Sequence, residues 1–226
     1  MSLQSRAVTM TKQMIQIEST DPGTYENTMA NWITSQLTPY PNVQLTRQEV
    51  LPGRPNLMAE LPGDPALPAL IMICHMDTVV VGDGWTLPPF EAIEKNGKIY
   101  GRGACDMKSG LACCLSAFQY TAEMLKASGK TPKQTLKLIC SMDEEDFMRG
   151  SEACIQSGWI TDHDWVIDAE PTNGQIQMAH KGRTWYEIDV QGHTAHASTP
   201  WKGADAIAAM SEIICEIRHA ILYAPV

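Results

Sequence analysis

His75-Met76-Asp77, Asp106, Glu144-Glu145 and Glu170 are the residues whose types and spacing could do chemistry. Each stands at or shortly after the end of an apolar run. Imidazole nitrogen and carboxylate oxygen, with no thiolate, make a donor set that suits catalytic zinc, manganese or cobalt rather than a closed cysteine-type structural site. Four carboxylates and an imidazole in one cleft would repel severely unless a cation neutralised them or they took up protons. Each motif alone has a plainer reading: His75 as a satisfied histidine at a strand end, Asp143 to Asp146 as a solvated acidic turn. It is their succession along the chain that favours a shared site.

The elements that must position these groups follow from the hydrophobic pattern. Ala69 to Cys74 is a continuous apolar run after a proline-rich turn, which reads as a strand buried on both faces. Sheets of that kind place their chemistry beyond the carboxyl ends of the strands. Period-two alternation puts Asp77 on the same side as His75, so Asp77 is expected to accept one imidazole N–H while the other nitrogen meets a metal. Helices are expected over Ser5 to Ile17, Tyr25 to Leu37, Leu111 to Leu125 and about Ser151 to Ser157. Further strands are expected at Val43 to Val50, Asn56 to Leu61, Lys98 to Tyr100, Thr135 to Cys140 and Trp165 to Ile167. Thr78 to Phe90, rich in Gly, Pro and Trp, is a long loop. The class is therefore α/β with a mainly parallel sheet, and the strand ends bearing His75, Asp106, Glu144, Glu145 and Glu170 converge on one edge. Asp168 is a rival to Glu170, two residues earlier and on the same face.

After Glu170 the pattern changes. Gln175 to His180 and Arg183 to Val190 read as two strands around a Lys181-Gly182 turn. Gly192-His193-Thr-Ala-His196 follows, then a helix from Ala204 to about Tyr223 expected to bury Ile207, Met210, Ile213, Ile214 and Ile217.

The 226 residues are 44% hydrophobic, ample for a packed core. A net charge of -9, with no two Lys or Arg adjacent, argues against nucleic acid or an acidic membrane surface as partner. No apolar run approaches the roughly 18 residues that span a bilayer, and Arg6 and Lys12 interrupt the N-terminal segment where a signal peptide has a pure apolar core. Seven cysteines, none in a C-x-x-C pair and several inside apolar runs, point to reduced thiols and a cytoplasmic protein. Cys105 is set apart by its place beside Asp106.

Taken together, His75-Met-Asp77, Gly101-Arg-Gly103-Ala-Cys-Asp106-Met-Lys, Asp143-Glu144-Glu145 and Glu170-Pro171-Thr172 resemble the signature blocks of the co-catalytic zinc amidohydrolases. That family includes acetylornithine deacetylase, succinyl-diaminopimelate desuccinylase, aminoacylase and carboxypeptidase G. Trp85 to Phe90 is similar to the linking loop of the deacetylase and desuccinylase branch. The glycines before Asp106, by contrast, lack the spacing of a dinucleotide fingerprint. The resemblance implies that His75 and Glu170 bind one zinc and Glu145 another, that Asp106 bridges them and that Asp77 orients His75. It makes Glu144 the general base. It also implies a catalytic domain over residues 1–180 and the beginning of a smaller lid and dimerisation domain over 181–226. In that lid a loop histidine reaches across a homodimer to stabilise an oxyanion; alignment on Val190, Gly192 and Pro200 gives this role to His196, with His193 the alternative. His163, His180 and His219 are read as surface or structural.

The implied reaction is hydrolysis of an N-acyl amino acid, with exopeptidase action on short peptides as the alternative. Members of the family usually continue past this point, to a final histidine ligating the second zinc. The second site is thus expected to be incomplete here, and a fragment that binds metal and self-associates without turnover is the non-catalytic alternative.

Overall fold

A computed structural model describes residues 2–223. It divides into two units, Met1–Ile176 and Gln177–Val226.

In the first unit, helix α1 (Leu3–Ile15) starts at Ser2, whose hydroxyl accepts the Ser5 N–H at 3.1 Å, as a serine cap should. Met10 and Met14 share its buried face. Strand β1 (Thr20–Asp21) and helix α2 (Asn27–Leu37) follow. A hairpin joins β2 (Gln44–Leu51) to β3 (Arg54–Leu61), and β4 (Leu70–His75) is the apolar run before the first motif. Beyond it, β5 (Thr78–Val79) pairs in parallel with β1.

Residues 93–100 form a small hairpin, β6 (Ile93–Lys95) and β7 (Lys98–Tyr100). Only the second strand is expected from its hydrophobicity. The missing signal is Asn96-Gly97: both have positive φ, 54° and 71°, as a two-residue hairpin turn of the I′ kind demands. Helix α3 (Lys108–Ser128) buries Leu111, Leu115, Phe118 and Ala122 along one stripe and ends at Gly129 in the left-handed conformation. Then come β8 (Leu136–Ser141), α4 (Arg149–Gln156) and β9 (Trp165–Asp168).

The main sheet has the order β2-β3-β8-β4-β9. Its α/β class is as expected, but the sheet is mixed: β4 runs parallel to β8 and β9, whereas β2–β3 and β3–β8 are antiparallel. The reason is the tight turn at Pro52-Gly53, which returns the chain as a hairpin without a crossover helix. The parallel part, β8-β4-β9, is the part that carries the motifs. One core cluster joins α1, α2 and α3 to the sheet through Met14, Ile33, Phe118, Leu57 and Leu138. A smaller cluster on the other side includes Ile71, Ile139 and Cys154. Truncating Phe118, fully buried, costs about 3–5 kcal/mol.

The expected strands over Gln175 to His180, a stretch that begins at the end of the first unit, and over Arg183 to Val190, in the second, do not form among the described residues. A strand needs a neighbour to take its N–H and C=O groups, and here Ile176, Met178, Trp185 and Tyr186 are exposed. Helix α5 (Ala206–Tyr223) forms near its expected position. It does not bury its stripe as expected: Ile207, Ile214 and Ile217 are exposed, while Met210 and Ile213 are half-buried. Ile188 and Val190 share one shallow groove with Ile207, Met210 and Ile214. No described helix of either unit is long and apolar enough to cross a membrane.

Candidate metal centre

Because β4, β8 and β9 are parallel, their carboxyl ends lie on one edge of the sheet. His75 is the last residue of β4, the Glu144-Glu145 pair lies three residues past β8, and Glu170 lies two past β9. Asp106 arrives from a different direction, in the turn just before α3, where its peptide bond to Met107 is cis. Gly110 lets this turn close against the β9 segment: a Cβ there would lie 2.3 Å from the carbonyl oxygen of Ala169.

His75 is buried, and its Nε2 is the centre of the cluster. It lies 3.1 Å from Asp106 Oδ1, 3.4 Å from Glu170 Oε1 and 3.9 Å from Glu144 Oε2. The ligand atoms of His75, Asp106 and Glu145, and those of His75, Glu144 and Glu170, each fall within 4.8 Å of one another. The expected residues His75, Asp106, Glu144, Glu145 and Glu170 are thus brought together. Asp168, the rival of Glu170, belongs to neither grouping.

Asp77 departs from its expected contact. His75 Nδ1 lies 2.9 Å from the main-chain oxygen of Asp77 and 3.6 Å from its carboxylate. The carboxylate turns away to accept the N–H groups of Glu144 and Glu145, at 3.2 and 3.0 Å. β4 stops at His75, so the period-two alternation that would align the two side chains no longer applies at Asp77. The orientation of the imidazole is the same in effect: Nδ1 donates to an oxygen, leaving Nε2 to face the carboxylates.

Electrostatics mark the same spot. Burial alone would pull the His75 imidazolium down, but Asp106, Asp77 and Glu170 more than offset it and carry its pKa up to about 11. Burial raises Glu170 to about 8, with Asp106, Asp168 and Glu144 adding to the shift against the pull of His75. Glu144 and Glu145 are raised mainly by burial. Asp106 is lowered by its hydrogen bond to His75. In this state a protonated imidazole balances the carboxylates. Nitrogen and oxygen donors crowded this closely, held by hydrogen bonds from behind, fit a divalent cation.

His196 belongs to the second unit. It is exposed, and its Nδ1 lies 2.8 Å from Ser198 Oγ and accepts the Ser198 N–H at 3.2 Å. His193 instead forms a main-chain bridge with Ala204.

Sequence reasoning missed a second, largely buried group beside the first. Arg54 donates to Glu26 at 2.9 and 2.5 Å and to Asp21 at 2.5 Å, and lies 3.2 Å from Asp143. Arg149 grips Asp143 with two bonds of 2.6 Å. One signal was available: Glu26 continues the stripe Met29, Ile33, Leu37 of α2 by one turn, so it had to point inward.

An α/β sheet with imidazole and carboxylates gathered at its carboxyl edge is an arrangement that can hold a divalent cation. Residues 71–224 match the profile of "Peptidase family M20/M25/M40", and the chain belongs to that family. A Staphylococcus aureus protein named "Probable succinyl-diaminopimelate desuccinylase" is 38% identical over 168 residues, 74% of this chain and 40% of that one. "Acetylornithine deacetylase" of Buchnera aphidicola is 36% identical over 150 residues, 66% and 38% of the two chains. The chain thus spans about two fifths of the length of the curated relatives it matches. Two solved structures share the fold: human carnosine dipeptidase 1, with a TM-score of 0.57, 22% identity and coverage of 73% of this chain and 38% of that one, and a tripeptidase from Staphylococcus aureus, with 0.61, 20%, 93% and 56%.

Proposed function

We propose that this chain carries the metal centre of an amidohydrolase acting on an N-acyl amino acid, of the acetylornithine deacetylase or succinyl-diaminopimelate desuccinylase type. The observation that carries the reading is the convergence of Asp106, Glu170 and Glu144 on one imidazole nitrogen, at 3.1 to 3.9 Å. The two relatives' names supply the substrate class.

His75 and Glu170 would hold one cation and Glu145 the other, with Asp106 shared. Two zinc ions, with cobalt or manganese as substitutes, would when bound supply Lewis acidity toward a water and the scissile carbonyl. Glu144 is the general base: burial lifts its pKa above the ordinary carboxylate value, which suits a group that accepts a proton and passes it to the leaving amine. Asp77 fixes the main chain of Glu144 and Glu145 through its two hydrogen bonds. His196, in a homodimer, would donate to the oxyanion of the tetrahedral intermediate. Seven free thiols favour a reducing, cytoplasmic setting.

The named peptidases among the structural neighbours support a second reading, exopeptidase action at the same centre. The test is a metal-loaded panel of N-succinyl-diaminopimelate, N-acetylornithine and dipeptides, with metal content measured on the same samples. Bound metal, turnover of an N-acyl substrate and its loss in Glu144→Gln with the metal retained are expected. Turnover of dipeptides alone would select the second reading. Metal-free protein with no turnover would overturn both.

A further inference from the structure

Four consecutive main-chain N–H groups at the end of β8 are all accepted by side chains of other elements. Met142 donates to Asn56 at 3.0 Å, Asp143 to Glu26 at 3.2 Å, and Glu144 and Glu145 to Asp77 at 3.2 and 3.0 Å. These acceptors come from β3, from the residue before α2 and from the end of β4. The backbone here is not in a regular conformation that would hold itself, since Asp143 sits in the left-handed region at φ 63°. A non-glycine residue stays there only when its surroundings impose it. The direction in which Glu144 and Glu145 leave the chain is therefore set from outside, by buried acceptors.

One of those acceptors, Glu26, and the neighbouring carboxylates of Asp143 and Asp21 need a cation. Glu26 and Asp143 are fully buried, and Asp21 is mostly so. Uncompensated carboxylates in that setting would protonate or move. Arg54 contacts all three and also stacks on Tyr25 at 4.3 Å. Its planar fork bridges Glu26 and Asp21 in one geometry, which an ammonium could not reproduce. Arg54 makes no contact of its own with His75, Asp106 or Glu170 among the described bonds; it acts through Glu26 and Asp143.

We propose that Arg54 is a positioning residue: through Glu26 and Asp143 it fixes the 142–145 turn, and so aims Glu144 and Glu145 at the centre. This rests on the metal-centre reading for its consequence, though not for the hold on the turn. In Arg54→Met, Co2+ should bind about 10–100-fold more weakly with altered visible absorption bands. Amide hydrogen exchange over 142–145 should quicken while α3 stays protected. Ile33→Ala, a core cavity in α2 away from the turn, should lower the melting temperature yet keep the wild-type Co2+ spectrum and affinity. Arg54→Lys should restore the charge but only part of the affinity.

A folded Arg54→Met with wild-type Co2+ spectrum and affinity, or with unchanged exchange over 142–145, overturns the proposal. If Arg54→Met does not fold, Arg54→Lys takes its place; a wild-type Co2+ spectrum and affinity with unchanged exchange over 142–145 there overturn it equally. Wild-type protein that binds no Co2+ overturns the metal centre, and exchange alone then decides whether Arg54 holds the turn.

Discussion

Two acidic groups stand side by side at the carboxyl edge of the sheet, built in opposite ways. In one, Asp21, Glu26 and Asp143 surround Arg54, with Arg149 clamping Asp143 from the other side. In the other, Asp106, Glu144 and Glu170 face His75. By spacing alone both could hold a cation: ligand atoms of Asp21, Asp143 and Asp146 fall within 4.8 Å of one another, as do those of each grouping around His75. What separates them is the cation already present. A guanidinium is permanently charged and cannot leave, whereas an imidazolium can give up its proton and offer a lone pair. The first group is scaffolding and the second is exchangeable. The proposed centre depends on that difference.

The comparison breaks most visibly on removal of one carboxylate from each group. Glu26→Ala leaves Arg54 short of its main partner in a buried setting and should destabilise the protein by about 3–5 kcal/mol, read by urea unfolding. Glu170→Gln should do the reverse in metal-free protein, because it removes a charge that burial, and then the neighbouring carboxylates, already disfavour; a gain on the order of 1 kcal/mol is expected. A loss in the second case as large as in the first would erase the distinction.

Metal addition sharpens it. Zinc at about 100 times its dissociation constant should stabilise the wild-type chain by about 2.7 kcal/mol. A chelator should reverse this, and His75→Ala should abolish it. A smaller effect is expected of Gly110→Ala, whose new methyl collides with the Ala169 carbonyl: a stability loss of about 1–3 kcal/mol and a weaker grip on zinc through displaced Glu170, measured by competition with a chromogenic chelator. The smallest is Cys105→Ser. Its thiol is exposed and free and lies in neither grouping around His75, so zinc affinity should stay within twofold and stability within about 0.5 kcal/mol.

The sequence made the exchangeable group legible and the scaffolding nearly invisible, for a physical reason. His75, Glu144, Glu145 and Glu170 each follow an apolar run, so pattern alone marks strand ends, and parallel strands gather such ends together; Asp106, expected at such an end, comes instead from the turn before α3. Arg54 of β3, Glu26 before α2 and Asp143 after β8 meet only through tertiary packing, and no local period announces that. Asp77 shows the limit from the other side: its proximity to His75 was readable, but its actual hydrogen bonds depend on where β4 stops. The antiparallel half of the sheet follows from the turn at Pro52-Gly53, which returns the chain without a crossover. In the second unit, period-two alternation over 183–190 signalled strands, yet alternation specifies a face to bury and not the partner that buries it.

The most direct measurement is anomalous scattering at the zinc edge from crystals of the zinc-loaded chain. A peak bounded by His75, Asp106 and Glu170, with none at Asp21 and Asp143, is the expected result. A peak among Asp21, Asp143 and Asp146, or no bound zinc at His75, would contradict the account.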